Sequence, residues 1–580
     1  MIARETDWWR GATIYQIYPR SFMDKNGDGL GDLAGIAERL PLVASLGVDA
    51  IWISPFFASP MRDFGYDISD HTAVDPIFGT LDDFDAVVTV AHDLGLKVLI
   101  DQVLCHTSDI HPWFVESRTG RIGPKADWYV WADPKADGSP PNNWLSLFGG
   151  PAWTFAPERG QYYLHKFLPQ QPALNLAEAA VEAAVMDISR FWLARGVDGF
   201  RLDSVNFYHH DQSLRDNPAR SARERAAIMA RPKGEDGIPR INPYNLQRHV
   251  SDKSRPETVD FLRRYRHMIE QAGGETTIAE IAADDAFEIL EQYTRAGAGL
   301  HMGYTFDVLS APFDKAGLQG VLESAYATIR QGWPCWAFSN HDVVRVQSRW
   351  GPPGAENGEA FARMIFALLT SLRGSVCLYQ GEELGLLEAD IAFADLQDPY
   401  GRHFWPAYKG RDGCRTPMPW RAADPHAGFG SAEPWLPIPP QHRARAFDAQ
   451  DQNPNSVLSA NRRFLRWRKS QPALVAGSIE FRDFGDDTVA FERRHGDDAV
   501  VALFNLVDRP VTVAPGLSPI DGHGFAFDTL GEALQLPPTA PFSGDRHDRP
   551  DGNLAVRSSP CGGQQYRRRG SLRRRPNRRR

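Results

Sequence analysis

Short apolar runs rich in β-branched and aromatic residues recur along the chain, each followed by a polar turn. In order they are TIYQIYP (13–19), VDAIWISP (48–55), KVLIDQVL (97–104), VDGFRLD (197–203), TTIAEIA (276–282), LHMGYTFD (300–307), CWAFSNHD (335–342) and SVCLYQGEE (375–383). Between the first three lie LAGIAERLPLVASLG (33–47) and LDDFDAVVTVAHDLG (81–95), which have the apolar spacing of amphipathic helices. Strands alternating with helices imply a parallel sheet in an α/β fold, and eight such units imply a (β/α)8 TIM barrel.

The spacing around this barrel is uneven. After strand three no helical pattern resumes until near Glu178, and the intervening stretch is rich in Trp, Pro, Gly and Asn. It is too long for a plain loop and predicts an inserted domain beside the barrel mouth. A polar stretch, 207–256, follows strand four and predicts a mobile cover over that mouth. Beyond the eighth helix the pattern turns to β-like runs: GSIEFRDF, DTVAFERRH, AVVALFNL and RPVTVA. The expected domains are therefore residues 1–104 and 176–475 as the barrel, 105–175 as the insertion and 476–543 as an antiparallel β-domain. Residues 544–580 make an Arg-rich tail expected to be disordered.

Composition narrows the class. The 580 residues are 42% hydrophobic and 24% charged, as in an ordinary soluble globular protein. The net charge of −9 conceals an asymmetry: residues 545–580 hold twelve Arg against three Asp, so removing that surplus of nine leaves the rest at −18. An acidic body is a poor nucleic-acid binder. The tail has the composition of a polyanion-binding segment, but a frameshifted gene end would also produce it, and we assign it no function. No apolar run reaches membrane-spanning length, and the N-terminal MIARETDWWRGATIY lacks the apolar core of a signal peptide. The five cysteines are scattered and without CxxC spacing, so reduced thiols in a cytoplasmic protein are expected.

Polar residues within the strands gather at their ends: Asp101, Arg201, Asp203, Glu280, Asn340, His341 and Asp342. A barrel packs its interior with apolar side chains and carries chemistry on its C-terminal rim. One late carboxylate could cap a loop; carboxylates ending strands four, five and seven face the same mouth and point to catalysis. With Tyr66, Phe148, Phe167 and several Trp around them, they suit a sugar ring, which needs aromatic faces and hydrogen bonds at its edge. Two carboxylates flanking a glycosidic bond can cleave it. There is no Gly-rich phosphate loop, and no organic cofactor is expected.

The stretch DKNGDGLGD (24–32) alternates oxygen ligands as the first half of an EF-hand loop does, but position twelve is Gly35 rather than Glu, and a strand precedes it. It reads as a turn for one hard cation, Ca²⁺ or Mg²⁺, or as an acidic turn without metal.

Several stretches together resemble the α-amylase superfamily of glycoside hydrolases, near its α-glucosidase and oligo-1,6-glucosidase members. They are DQVLCH (101–106), GFRLDSVN (199–206), IAEI (278–281) and SNHD (339–342), supported by FGYDISDH (64–71), QPALN (171–175), YQGEELG (379–385) and GRDGCRTPMPW (410–420), all in family order. The resemblance spans about residues 8–540 and implies a barrel, an inserted domain after strand three and a C-terminal β-sandwich. It implies Asp203 as nucleophile, Glu280 as general acid/base and Asp342 as the group holding the 2- and 3-hydroxyls, with Arg201 keeping Asp203 ionised. His106 and His341 would bind ring hydroxyls, Tyr66 would stack, and Phe148, Phe167 and Gln171 would line the pocket. Asp63 with Arg411, or with Arg415, would wall off the 4-hydroxyl and impose exo-action. The loop becomes a structural staple, with side-chain oxygens from Asp24, Asn26, Asp28 and Asp32 and the Leu30 carbonyl holding one Ca²⁺ or Mg²⁺.

The chain departs from the family at three places: Cys105 replaces an Asn that holds a second calcium in α-amylases, Ala173 breaks the QPDLN pattern, and Ser204 follows the nucleophile. Relatives acting on α-1,6 bonds often have Val there and those acting on α-1,4 bonds Thr; Ser204, small and hydroxylated like Thr, makes the resemblance imply α-1,4 bonds of the maltose type. The expected function is a retaining, exo-acting α-glucosidase acting on short α-glucosides. A transglucosylase or sucrose-acting isomerase would use the same residues. A non-catalytic sugar-binding or transporter-partner barrel ranks third, since the chain keeps all three acids and shows no membrane anchor.

Overall fold

A computed structural model describes residues 7–230, 239–296, 299–351, 358–507, 511–513, 534–536 and 553–557. All eight expected strands form. They are Thr13–Ile17, Ala50–Ile53, Lys97–Gln102, Gly199–Leu202, Thr276–Ile281, Met302–Thr305, Cys335–Trp336 and Ser375–Tyr379, here strands one to eight. They make one sheet in the order six, five, four, three, two, one, eight, seven, with every pairing parallel. A parallel bridge from Gly303 to Pro334 joins strand six to the start of strand seven and closes the barrel.

The period-two alternation of each strand sorts its side chains. One set (Ile14, Trp52, Leu99, Ile278 and Met302) fills the barrel bore with Trp9 and Trp333. The other (Tyr15, Ile51, Val98, Phe200, Ala279 and Val376) packs outward in the main core with the surrounding helices. Two residues beyond Leu99, Ile278 and Met302, on the bore-facing set, stand Asp101, Glu280 and Tyr304. Register sets Asp101 beside Arg201 and Glu280 beside Tyr304. The bore is thus apolar below and ionic at its C-terminal end.

The strands are shorter than the sequence pattern suggests. In CWAFSNHD only Cys335–Trp336 pair as strand; residues 337–341 continue as buried loop and Asp342 is half-buried. The inserted segment carries a three-stranded sheet, Trp131–Ala132, Trp153–Ala156 and Gln161–Leu164, and the next helix starts at Ala179. The stretch 207–256 contains a helix, Ala222–Ala230, and a short turn of 3-10 helix, Pro243–Leu246; residues 231–238 lie outside the described ones.

The C-terminal strands Ser478–Arg482, Thr488–His495 and Asp498–Asn505 pair antiparallel, and Val511–Val513 pairs with Leu534–Leu536. Asn553–Arg557, counted in the disordered tail from its composition, instead pairs antiparallel with Asp498–Asn505 as the sheet's fourth strand. Its alternation, NLAVR, is short and flanked by arginines, which concealed it. The arginine runs beyond it lie outside the described residues. Among the described residues no helix is long and apolar enough to cross a membrane.

Candidate active site

At the top of the bore one guanidinium meets three carboxylates. Arg201 is fully buried and lies 2.6 Å from Asp101, 2.7 Å from Asp203 and 2.6 Å from Glu280. It also donates to the Tyr304 hydroxyl at 2.8 Å, and its cation sits 5.0 Å from the Trp52 ring centre. Arg201 and Asp203 are two residues apart on one strand end, which puts them on the same side, as the sequence implied.

Three carboxylates around one cation leave too little positive charge to hold all three ionised. Burial pushes Glu280 up to about 7 against the pull of Arg201, and the negative charges of Asp203 and Asp342 add to the rise. Burial raises Asp203 to about 6, with Arg201 pulling it back and Asp101 and Asp342 adding to the rise. The order matters: near neutral pH Asp203 is the better anion and Glu280 the better proton carrier. Both Glu280 oxygens are positioned, Oε1 by the Tyr304 hydroxyl at 2.9 Å and Oε2 by the Ser204 N–H at 2.9 Å. Ser204 achieves this in a left-handed conformation (φ 45°), a strain borne beside the nucleophile.

The opposite wall is built differently. Arg411 pairs with Asp63 at 3.0 Å, Asp398 at 2.8 Å and Asp342 at 3.1 Å, and lies 5.3 Å from the Phe148 ring centre. Arg415 does not reach Asp63; it binds Asp342 at 2.9 Å and the His341 carbonyl at 2.7 Å. Burial would raise Asp342, but His341, Arg411 and Arg415 outweigh it and hold the carboxyl well below the usual range. Gln171 donates to Asp63 at 3.1 Å, and His106 Nε2 faces the Tyr66 carbonyl at 2.8 Å.

Ten residues singled out from the sequence line one cavity of about 430 Å³: Asp63, Tyr66, His106, Phe148, Phe167, Gln171, Asp203, Glu280, Asp342 and Arg411. Two do not. Arg201 sits beneath the pocket floor. His341, expected to meet ring hydroxyls, is fully buried behind Tyr66, with Nε2 2.7 Å from the tyrosine hydroxyl and Nδ1 2.7 Å from Gln16. Its ring lies parallel to Tyr66 with centres 5.5 Å apart, and Nε2 is also 3.2 Å from the Asp342 carboxylate that lines the cavity.

Sequence reasoning missed Asp398 and Tyr304. Asp398 precedes a proline and caps the helix Pro399–Phe404, a local signal that says nothing of its contact with Arg411. Tyr304 is two residues past Met302 on the bore-facing set, a clue available only once register is known.

The loop 24–32 folds its oxygens onto its own backbone. Asp24 accepts from the amides of Gly27, Asp28 and Gly29, Asn26 from Asp28, and Asp28 from Leu30. Asp32 accepts from Gly35 as N-cap of the helix Leu33–Ala44 and from Lys25 and Asn26. Among the described residues no three His, Cys, Asp or Glu side chains are grouped to hold a metal. The side-chain oxygens here are hard donors, the class that Ca²⁺ and Mg²⁺ take, and they are engaged by the loop's own amides.

The comparisons bear on this geometry. The family profile "Alpha amylase, catalytic domain" matches residues 16–477. A probable alpha-glucosidase of Rhizobium meliloti (strain 1021) is 53% identical over 547 residues, 93% of this chain and 98% of that protein. An oligo-1,6-glucosidase of Heyndrickxia coagulans is 34% identical, covering 82% of this chain and 87% of its own length. Among solved structures, an alpha-glucosyl transfer enzyme superposes with a TM-score of 0.87 at 52% identity, over 95% of this chain and 99% of that one. An isomaltulose synthase of Erwinia rhapontici, solved with sucrose, gives 0.82 at 28% identity, over 97% of this chain and 100% of that one.

Proposed function

The chain belongs to the α-amylase family, and from that premise we infer that it is a retaining, exo-acting α-glucosidase. It releases glucose from the non-reducing end of short α-glucosides, with maltose-type α-1,4 bonds favoured. The observation that carries this reading is a single pocket with Asp203 and Glu280 on its floor and the Asp63–Arg411 pair across one wall.

A terminal glucose enters until its 4-hydroxyl meets that wall, and the ring lies against Tyr66 with its edge toward Asp342. Asp203 attacks the anomeric carbon, forming a C–O bond as the bond to the leaving oxygen breaks. Glu280 gives its proton to that oxygen. Glu280, now anionic, takes a proton from water, whose oxygen attacks the same carbon and frees Asp203. Two inversions retain the α-configuration. If a sugar hydroxyl replaces water in the second step, the same site transfers glucose, which the likeness to a glucosyl transfer enzyme favours as a side activity.

One structural Ca²⁺ or Mg²⁺ in the loop, held by oxygens of Asp24, Asn26, Asp28 and Asp32 and the Leu30 carbonyl, belongs to the proposal. So does a cytoplasmic setting, supported by four buried free thiols. A product time-course on maltose, isomaltose, sucrose and soluble starch tests the reading. α-Glucose should appear first and from the short substrates. Early β-glucose, or a rapid fall in starch viscosity, would contradict it.

A further inference from the structure

Lys253 is a cation in the pocket wall without a carboxylate partner among the described residues. It is 7% exposed and lines the cavity. Its ammonium donates to one acceptor, the Ala282 carbonyl at 2.8 Å. Its other approaches are to ring faces, 5.0 Å from the Phe207 centre and 5.2 Å from that of Tyr244. Burial lowers its pKa, while Asp252 and Asp284 act the other way. A buried ammonium with spare N–H groups is costly unless something accepts from them.

Its place in the pocket suggests what does. Ala282 follows Glu280 by two residues, off the same strand end. Phe207 closes the short helix that begins directly after Ser204, beside the nucleophile. Asp63 and Arg411 occupy the wall that receives the terminal glucose. Lys253 is thus tied through Ala282 to the loop that continues the Glu280 strand, and lies over the Phe207 and Tyr244 rings in the same cavity. The Tyr244 hydroxyl is also buried and meets no hydrogen-bond partner among the described residues.

We propose that Lys253, Phe207 and Tyr244 form the subsite for the sugar on the far side of the scissile bond, with the Lys253 ammonium donating to its hydroxyls. The inference rests on the glucosidase reading and names the leaving group's class: a neutral, hydroxyl-bearing sugar. A phosphorylated one fits less well, because acids share the region: Arg220 is paired with Asp284, and Arg248 with Glu224. In glucosyl transfer the acceptor sugar would take the same place.

The test compares kcat/KM on maltose with that on p-nitrophenyl α-glucoside, whose aglycone has no hydroxyl to accept from an ammonium. Wild-type turnover of the aryl glucoside tests the glucosidase reading alone. In Lys253→Met the loss on maltose should exceed the loss on the aryl glucoside by roughly 10- to 100-fold, the range of one charge-assisted hydrogen bond. Lys253→Arg should recover part of that difference, and Tyr244→Phe should show a smaller one. Equal losses on both substrates would mean that Lys253 only pins the Ala282 carbonyl, and would overturn the subsite. Binding of maltose and of glucose to Asp203→Asn, with and without Lys253→Met, repeats the comparison as affinities and needs no turnover. Maltose binding should weaken more than glucose binding; equal weakening overturns the proposal.

Discussion

Two buried ionic clusters share this pocket and treat their acids in opposite ways. On the floor, Asp101, Asp203 and Glu280 surround Arg201 alone, and all three carboxyls are pushed up by burial. On the wall, Asp342 and Asp398 are held by Arg411, with Arg415 and His341 beside Asp342, and both are pushed down despite burial. The difference is the ratio of cations to anions around each carboxyl. One arginine for three acids keeps a proton in play where a proton must move; two arginines on Asp342 keep a fixed anion to hold hydroxyls. Asp63 is the exception on the wall, raised to about 6 by burial with Arg411 pulling it back, since it shares that arginine with two other acids.

The largest effect expected from breaking the floor is that of Asp203→Asn. Turnover should fall by about 10⁴-fold or more, as for other removed nucleophiles, while maltose still binds in calorimetry. Residual turnover within about tenfold of wild type would remove Asp203 from the covalent step.

Glu280→Gln comes next, with a loss of roughly 10²–10⁴-fold on maltose. Aryl glucosides with good leaving groups should suffer less, because they need less protonation; equal losses would unseat Glu280 as the acid. The pH profile of kcat/KM sharpens the same contrast. The acid must be protonated, so rate should fall as pH rises through about 7, where Glu280 titrates. The nucleophile must be ionised, so rate should fall as pH drops through about 6, where Asp203 titrates. Glu280→Gln should lose the alkaline limb and keep the acid one.

The wall should give less. Asp63→Ala leaves Arg411 with Asp398 and Asp342, so the guanidinium keeps partners. A fall in kcat/KM for maltose of roughly 10- to 100-fold is expected, in line with losing charge-assisted hydrogen bonds. Longer oligosaccharides should become relatively better substrates as the pocket end opens. An unchanged ratio of maltose to longer substrates would show that the pair does not set chain length.

The smallest effect lies outside both clusters. Removing Ca²⁺ or Mg²⁺ with a chelator should lower the melting temperature by a few degrees through mass action, with turnover maintained in protein that stays folded. Asp24→Ala with Asp28→Ala should melt lower and show no response to added metal. An unchanged melting temperature on chelation of metal-loaded protein would count against the staple.

Much of this molecule is determined by local pattern. Period-two runs followed by helical spacing predicted the eight strands, because alternation and amphipathicity are properties of neighbours in the chain. Late acids in several strands pointed to one mouth for the same reason: a parallel barrel brings all its strand ends to one rim. Family motifs then singled out Asp203, Glu280 and Asp342, and ten of the residues so found line the cavity. The tertiary structure alone decided how those residues divide charge. Arg411 reaches Asp63 across 348 positions of sequence, and Asp398 joins them from a helix cap. No local signal reports either contact, since burial and pairing depend on what folding brings together from far apart. For the same reason His341, next to Asp342 in a motif, stands behind the pocket wall while its neighbour lines it. Asn553–Arg557 likewise finds a strand partner that its arginine-rich surroundings concealed.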